Sequence, residues 1–351
     1  MRIVKKFLSL TKLTYPHGTE RGLINQLPNG YKEDGFGNYY IQIGEKPSTM
    51  FTCHLDTADR KQTKVNHIFE GNIVKTDGTS ILGADDKAGM TVILYMISKK
   101  TPGLYFFFIG EEVGCIGSRK LSKNWKTTEF SKHITKVVSF DRRGNNSIIT
   151  HQMMDRCCSE EFATELAKRM NSVGRNIKME LDNTGVLTDS INFVNMVPEC
   201  TNISVGYKNE HTGKELQDID FLIRLCECVI KVDWETLPIE YEEKSKWFEP
   251  EIKTKEIIND PEWSESNWTW VSNGERTFRA FLSETQILDE KDIIWEWINK
   301  SVFDVRSITW NGRSLYIEKK DGKLEFFERV DLVEHIPQLK KISSSMIKEK
   351  L

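Results

Sequence analysis

The run LYFFFIG at residues 104–110 shows no alternation of apolar and polar positions. A strand with one wet face alternates; a strand apolar at successive positions is buried on both faces, as in a sheet with helices on either side. TMFTC (49–53), ITKVVSF (134–140) and TNISVG (201–206) have a similar texture, and GNYYIQIG (37–44) and NIVKT (72–76) are further strand candidates. Between them, DKAGMTVILYMISKK (86–100), SEEFATELAKRMNSVG (159–174) and DIDFLIRLCECVIKVDWE (218–235) place apolar residues at three-to-four spacing. The opening residues read as a short N-terminal helix. This alternation specifies an α/β fold over residues 1–235, a mixed central β-sheet covered by helices on both faces.

After residue 235 the texture changes. Residues 236–275 are rich in Glu and Lys, contain three prolines and have little periodicity, which reads as a linker or surface-running connection. Residues 276–351 read as a small α+β module. TQILDEKDIIWEWINK (285–300) is an amphipathic helix pattern, and Asn311-Gly312 and Asp321-Gly322 separate three strand-like runs. Such dipeptides supply the positive φ that tight hairpins need, so a three-stranded meander is predicted, closed by a helix near 331–349.

Forty-nine basic residues against 52 acidic ones leave a net charge of -3, with no basic field of the kind that binds nucleic acid. Seven scattered cysteines without a CxxC pair fit reduced thiols, and hence a cytoplasmic location. No apolar run reaches membrane-spanning length, and the N-terminus lacks the apolar core and cleavage site of a secretion signal, so no membrane partner is expected.

Potential metal ligands fall at the ends of the strand candidates. His54 and Asp56 follow TMFTC; Glu111 and Glu112 follow LYFFFIG; Asp141 ends VVSFD; His211 lies in the loop after TNISVG; Asp85 and Asp86 open a helix. In open α/β sheets ligands bind beyond the strand ends, so positions far apart in sequence converge there. His54, Asp85, Glu112, Asp141 and His211 form a nitrogen and oxygen set suited to zinc, with cobalt or manganese as substitutes. One carboxylate bridging two ions would leave each an open position, the hallmark of a catalytic site. Successive side chains point apart, so one of Glu111 and Glu112 can bind metal while the other serves as general base. Asp56 is placed to orient His54 through its other ring nitrogen.

HLDT, TDGTSILGADDKAG, GEEVG, the Phe140-Asp141 pair and NEHTGKE, with EDGFGNYYIQIG before them, together resemble the dinuclear zinc exopeptidases. The resemblance is to the peptidase T-like branch of the aminoacylase and carboxypeptidase superfamily, and it spans residues 1 to about 230. It implies two zinc ions, with Asp85 bridging, His54 and Asp141 on one ion and Glu112 and His211 on the other. It makes Glu111 the general base and Asp56 the orienting residue. Asp86 then caps the helix or pairs with Lys87.

Family members of this branch carry a lid or dimerisation domain between the positions matching Asp141 and His211, which here lie 70 positions apart. The compact layout resembles the single-domain zinc aminopeptidases. Arg142 and Arg143 are candidates for binding a substrate carboxylate, and Asp189 in GVLTDSINF for a contact to a substrate amine or for support behind the metal ligands. His17, His67, His133, His151 and His335 match no motif and read as structural. WSESNWTW, with Trp263, Trp268 and Trp270, reads as packing of the small module onto the large one, the alternative being a docking surface for a partner. The expected function is hydrolysis of a peptide bond in a small peptide, by an aminopeptidase or tripeptidase. A di-zinc deacetylase or desuccinylase of acylated amino acids would share every ligand, and a non-catalytic scaffold is the reading from another class.

Overall fold

The computed structural model describes residues 2–153 and 155–240, and the strands at 268–272, 277–281, 305–310, 314–319 and 324–328. The chain divides into two compact units, Met1–Trp247 and Phe248–Leu351.

In the first unit an eight-stranded mixed sheet runs in the order β1 (Lys32–Glu33), β2 (Tyr39–Ile43), β6 (Gly103–Phe108), β3 (Thr49–His54), β7 (Lys136–Arg142), β12 (Glu199–Ser204), β8 (Ser147–Ile149) and β11 (Glu180–Asp182). The four central strands β6, β3, β7 and β12 are parallel. Their carboxyl ends therefore open on one edge of the sheet. A four-stranded sheet, β13 (Tyr207–Lys208), β14 (Leu216–Asp218), β5 (Ile73–Thr76) and β4 (His67–Glu70), stands beside it. A short hairpin pairs β9 (His151–Gln152) with β10 (Asp155–Arg156).

β6 shows why its sequence lacks alternation. Tyr105 and Phe107 enter one apolar layer, and Leu104, Phe106 and Phe108 enter the other, all fully buried. Each such side chain contributes about 1.5–3 kcal/mol relative to an exposed one. The first layer packs under α1 (Ile3–Leu10), α2 (Ala84–Ser98), α4 (Glu160–Ser172) and α5 (Ile219–Val229). The second packs against α3 (Ile116–Lys123) and the short helical turns that carry Trp125, Phe130 and Phe193.

α2 is buried at every position from Ala84 to Ile97, because α1, α5 and the sheet enclose it. Its close seat on β7 needs a residue without a side chain: a Cβ on Gly89 would lie 1.8 Å from the Phe140 carbonyl oxygen. Gly89→Ala is accordingly expected to lower unfolding stability by about 1–3 kcal/mol or more, read from urea denaturation. An unchanged midpoint would contradict this packing.

α5 ends at Val229, six residues before the periodic pattern does. Trp234 folds back instead, donating its indole N–H to the Val229 carbonyl at 2.9 Å and packing edge-on against Phe51. The ring takes the place another helical turn would have filled.

In the second unit β15 (Trp268–Ser272) pairs with β16 (Thr277–Phe281), within and just beyond the stretch read as a connection. β17 (Val305–Trp310), β18 (Ser314–Lys319) and β19 (Leu324–Glu328) form an antiparallel three-stranded sheet. The helices expected at 285–300 and 331–349, and Trp263, lie outside the described residues.

Candidate metal centre

The carboxyl ends of the parallel strands deliver the ligand candidates to one place. His54 closes β3, Asp141 lies one residue from the end of β7, and Glu111 and Glu112 follow β6. His211 lies in the loop between β13 and β14, and Asp85 sits in the first turn of α2. The Asp85-Asp86 peptide is cis.

Asp85 occupies the middle. Its Oδ1 lies 3.1 Å from His54 Nε2 and its Oδ2 lies 3.1 Å from His211 Nε2. Asp141 Oδ1 stands 3.6 Å from His54 Nε2, and Glu112 Oε1 stands 3.0 Å from His211 Nε2. The five residues thus sort into two groups that share Asp85. Ligand atoms of His54, Asp85 and Glu112 all fall within 4.8 Å of one another.

The donor set fits divalent-cation binding. Glu112 Oε1 is buried and receives no hydrogen bond, although it faces a histidine nitrogen. Desolvation opposes charge on the buried His54 and on His211, whose side chain is 40% exposed, yet the surrounding carboxylates hold both well above the ordinary imidazole range, Asp141 foremost at His54 and Glu112 at His211. Burial and Asp85 push Asp141 up to about 6. So many buried carboxylates at such short range call for positive charge, and the histidine and carboxylate mixture suits zinc.

The supporting contacts come from separate elements. His54 Nδ1 faces the Asp56 carbonyl at 3.1 Å, with the Asp56 carboxylate 3.5 Å away, which leaves Nε2 to point at the carboxylates. The Asp56 carboxylate does more than orient His54. It accepts the backbone N–H groups of Glu111 and Glu112, each at 3.0 Å, and so ties the exit of β3 to the exit of β6. Asp56→Ala would leave those two amides unpaired, at about 1–3 kcal/mol each. A lowered urea midpoint is expected, together with a fall in kcat larger than any rise in KM, because Glu111 loses its anchor. Wild-type values for both would remove Asp56 from the site.

Asp86 serves the backbone. Its Oδ1 accepts from Gly89 N at 3.0 Å, as a helix cap does, and its Oδ2 from His54 N at 3.2 Å. Lys87 is fully buried and reaches the Leu55 and Asp56 carbonyls at 2.6 and 3.2 Å. Asp86 is therefore engaged by two amides, and Lys87 holds the loop after His54.

Three partners of Asp141 had no signal in the sequence. Thr188 Oγ1 donates to its Oδ2 at 2.7 Å and the Tyr207 hydroxyl to its Oδ1 at 3.2 Å, while the Asn202 amide clamps its backbone N–H and carbonyl. Thr188 adjoins Asp189 in the GVLTDSINF segment, but only the fold brings it to Asp141. Glu111 is partly buried, with Oε2 4.0 Å from His54 Nε2 and Oε1 receiving the Cys115 thiol at 3.6 Å. Burial, with Asp141 and Glu112 adding to it against His54, raises its pKa well above the ordinary carboxylate range.

The substrate-binding candidates separate. Arg142 is buried, its guanidinium held by Asp182 at 3.3 Å and Thr184 at 2.9 Å. Arg143 bonds Glu210 at 3.0 Å and keeps 38% of its side chain exposed. Asp189 is buried and accepts the Ser118 hydroxyl at 2.5 Å, with Asn192 behind it, and burial pushes its carboxyl up to about 8. Of the histidines read as structural, His67 bonds Thr11 at 2.9 Å and His17 pairs with Glu20 at 2.6 Å.

Residues 38–216, half of the chain, match the model of peptidase family M28. The chain belongs to peptidase family M28. Peptidase family M28 is a family of metal-dependent peptidases. The chain is 37% identical over 154 residues to the uncharacterized protein YqjE of Bacillus subtilis, a match over 37% of the M28 chain that spans 41% of that relative's length. Its fold resembles that of aminopeptidase PepT from Bacillus cereus, with a TM-score of 0.54 at 15% identity over 66% of this chain and 96% of that one. A tripeptidase from Staphylococcus aureus gives 0.52 at 16% identity over the same shares. The TET1 peptidase of Pyrococcus horikoshii gives 0.50 at 15% identity over 65% and 98%. No helix among the described residues is long and apolar enough to cross a membrane.

Proposed function

We propose that the M28 chain is a di-zinc aminopeptidase or tripeptidase acting on small peptides. Asp85 would be shared between two ions, with His54 and Asp141 holding one and His211 and Glu112 the other. Cobalt or manganese would suit the same ligands. The observation that carries this reading is the placement of Asp85, whose two oxygens face two different histidines at equal distance. The aminopeptidase and tripeptidase among the similar folds support the substrate class.

Ions held there would polarise the scissile carbonyl and acidify the attacking water. Glu111 does the proton work. Its partly buried carboxylate takes a proton from water as the oxygen adds to the carbonyl carbon, then gives that proton to the nitrogen as the C–N bond breaks. Burial raises its pKa above the ordinary carboxylate range, which favours taking up the proton. Asp56, through the Glu111 amide, and Cys115, through the carboxylate, hold that side chain at the site. Arg143, more exposed than Arg142, is the better placed of the two for a substrate carboxylate, and the buried Asp189 braces the wall through Ser118. Residues 276–351 are proposed as a separate small module. A cytoplasmic location is proposed from the seven buried thiols.

The test is chelator-stripped protein restored with zinc and offered free-amine aminoacyl anilides, tripeptides and N-acylated amino acids. Zinc-dependent cleavage of the free-amine substrates is expected. Turnover of the N-acylated compounds alone would indicate a deacylase, and zinc binding without turnover a scaffold.

A further inference from the structure

Glu215 lies outside both ligand groups, yet it grips the central ligand from behind. Its side chain is fully buried, with Oε2 accepting Gly83 N at 2.8 Å and Oε1 accepting Asp85 N at 3.0 Å. These two amides flank Ala84 at the entrance to α2. Gly83 stands at the helix N-cap with φ +68° and offers no side-chain cap of its own, so a carboxylate 132 residues away meets that need.

The segment that delivers Glu215 also delivers His211. Between them the chain makes a tight turn, closed by Glu215 N bonding the Thr212 carbonyl at 3.1 Å, with His211 itself in the left-handed region at φ +61°. β14 begins at the next residue and is registered on β5, Leu216 opposite Lys75, so the carboxylate is held by sheet pairing. One end of this loop therefore places a histidine 3.1 Å from Asp85 Oδ2 while the other fixes the Asp85 backbone.

A helix entrance needs only neutral acceptors. A second buried carboxylate directly behind Asp85 adds negative charge where the ligand set is already crowded, which disfavours the metal-free site and favours a filled one. We propose that Glu215 is a positioning residue for metal uptake: it locks Asp85 in its bridging orientation and couples that ligand to the His211 loop. This rests on the metal reading given above.

The test compares wild type, Glu215→Gln and Glu215→Ala by zinc titration against a chromophoric chelator, with thermal melting of the metal-free and zinc-loaded forms. Glu215→Gln keeps one acceptor oxygen and nearly the same volume, so it guards against a misfolded alanine variant. Zinc affinity is expected to weaken about 10–100-fold in Glu215→Ala and by less in Glu215→Gln. Metal-free Glu215→Gln should melt somewhat below wild type, because its N–H₂ group faces one of the two backbone N–H groups, and its zinc-induced rise in melting temperature should shrink. Turnover lost at limiting zinc should be rescued by excess zinc. Unchanged zinc affinity in Glu215→Gln, or a lowered metal-free melting point as its only defect, would reduce Glu215 to a structural cap and overturn the proposal. Wild-type protein that takes up no zinc would instead sink the underlying metal reading.

Discussion

Glu111→Gln is expected to bind zinc as wild type does and to lose about 10²–10⁴-fold in kcat, the range ascribed to a positioned general base. The glutamine amide has nearly the same shape and keeps the backbone N–H that Asp56 holds at 3.0 Å. What it cannot do is accept and return a proton. Glu111 belongs to neither ligand group, so metal content separates this defect from damage to the centre: the same change at Glu112 should cost metal as well. KM should move little, because the loss falls on the transition state. Near-wild-type turnover would assign the proton work elsewhere. Loss of zinc would place Glu111 among the ligands.

Asp85→Asn should be the most damaging change to metal binding itself. Asparagine retains one carbonyl oxygen and turns an N–H₂ group toward the other histidine, so one position loses its shared ligand and meets a donor in its place. Zinc content is expected to fall from two per chain to one or fewer. Two-metal stabilisation of the developing charge is worth several kcal/mol, and about 3–5 kcal/mol corresponds to about 10²–10⁴-fold in rate. Plasma emission analysis of extensively dialysed protein, alongside the kinetics, checks both. A variant that keeps two zinc ions would remove Asp85 from the bridge.

The central sheet was legible because its strands are buried on both faces. LYFFFIG could fold only between two apolar layers, and β6 divides its side chains between them. The ligand candidates were legible for a related reason: histidines and acids that abruptly end apolar runs have no role in the core and so mark the sheet's open edge. The contacts that aim those ligands left no such trace. Thr188, Tyr207 and Asn202 reach Asp141 across 47, 66 and 61 positions, and each is an ordinary residue in its own segment. Asp56 was read from its nearness to His54, whereas its carboxylate holds the Glu111-Glu112 turn, a contact that exists only once β3 and β6 lie side by side. Arg142 followed a ligand candidate in sequence, but the strand turns it away toward Asp182. Helix ends were the least legible, since Trp234 folds back onto α5 in a pattern that still reads as helical.

Asp85 joining two metal positions would be visible directly in a crystal. The most direct measurement is an anomalous difference map from zinc-loaded crystals, collected on both sides of the zinc absorption edge. Two peaks should appear about 3.5–4 Å apart, one against His54 and Asp141, the other against His211 and Glu112, with Asp85 touching both. A single peak, peaks away from Asp85, or no zinc signal at these five side chains would contradict it.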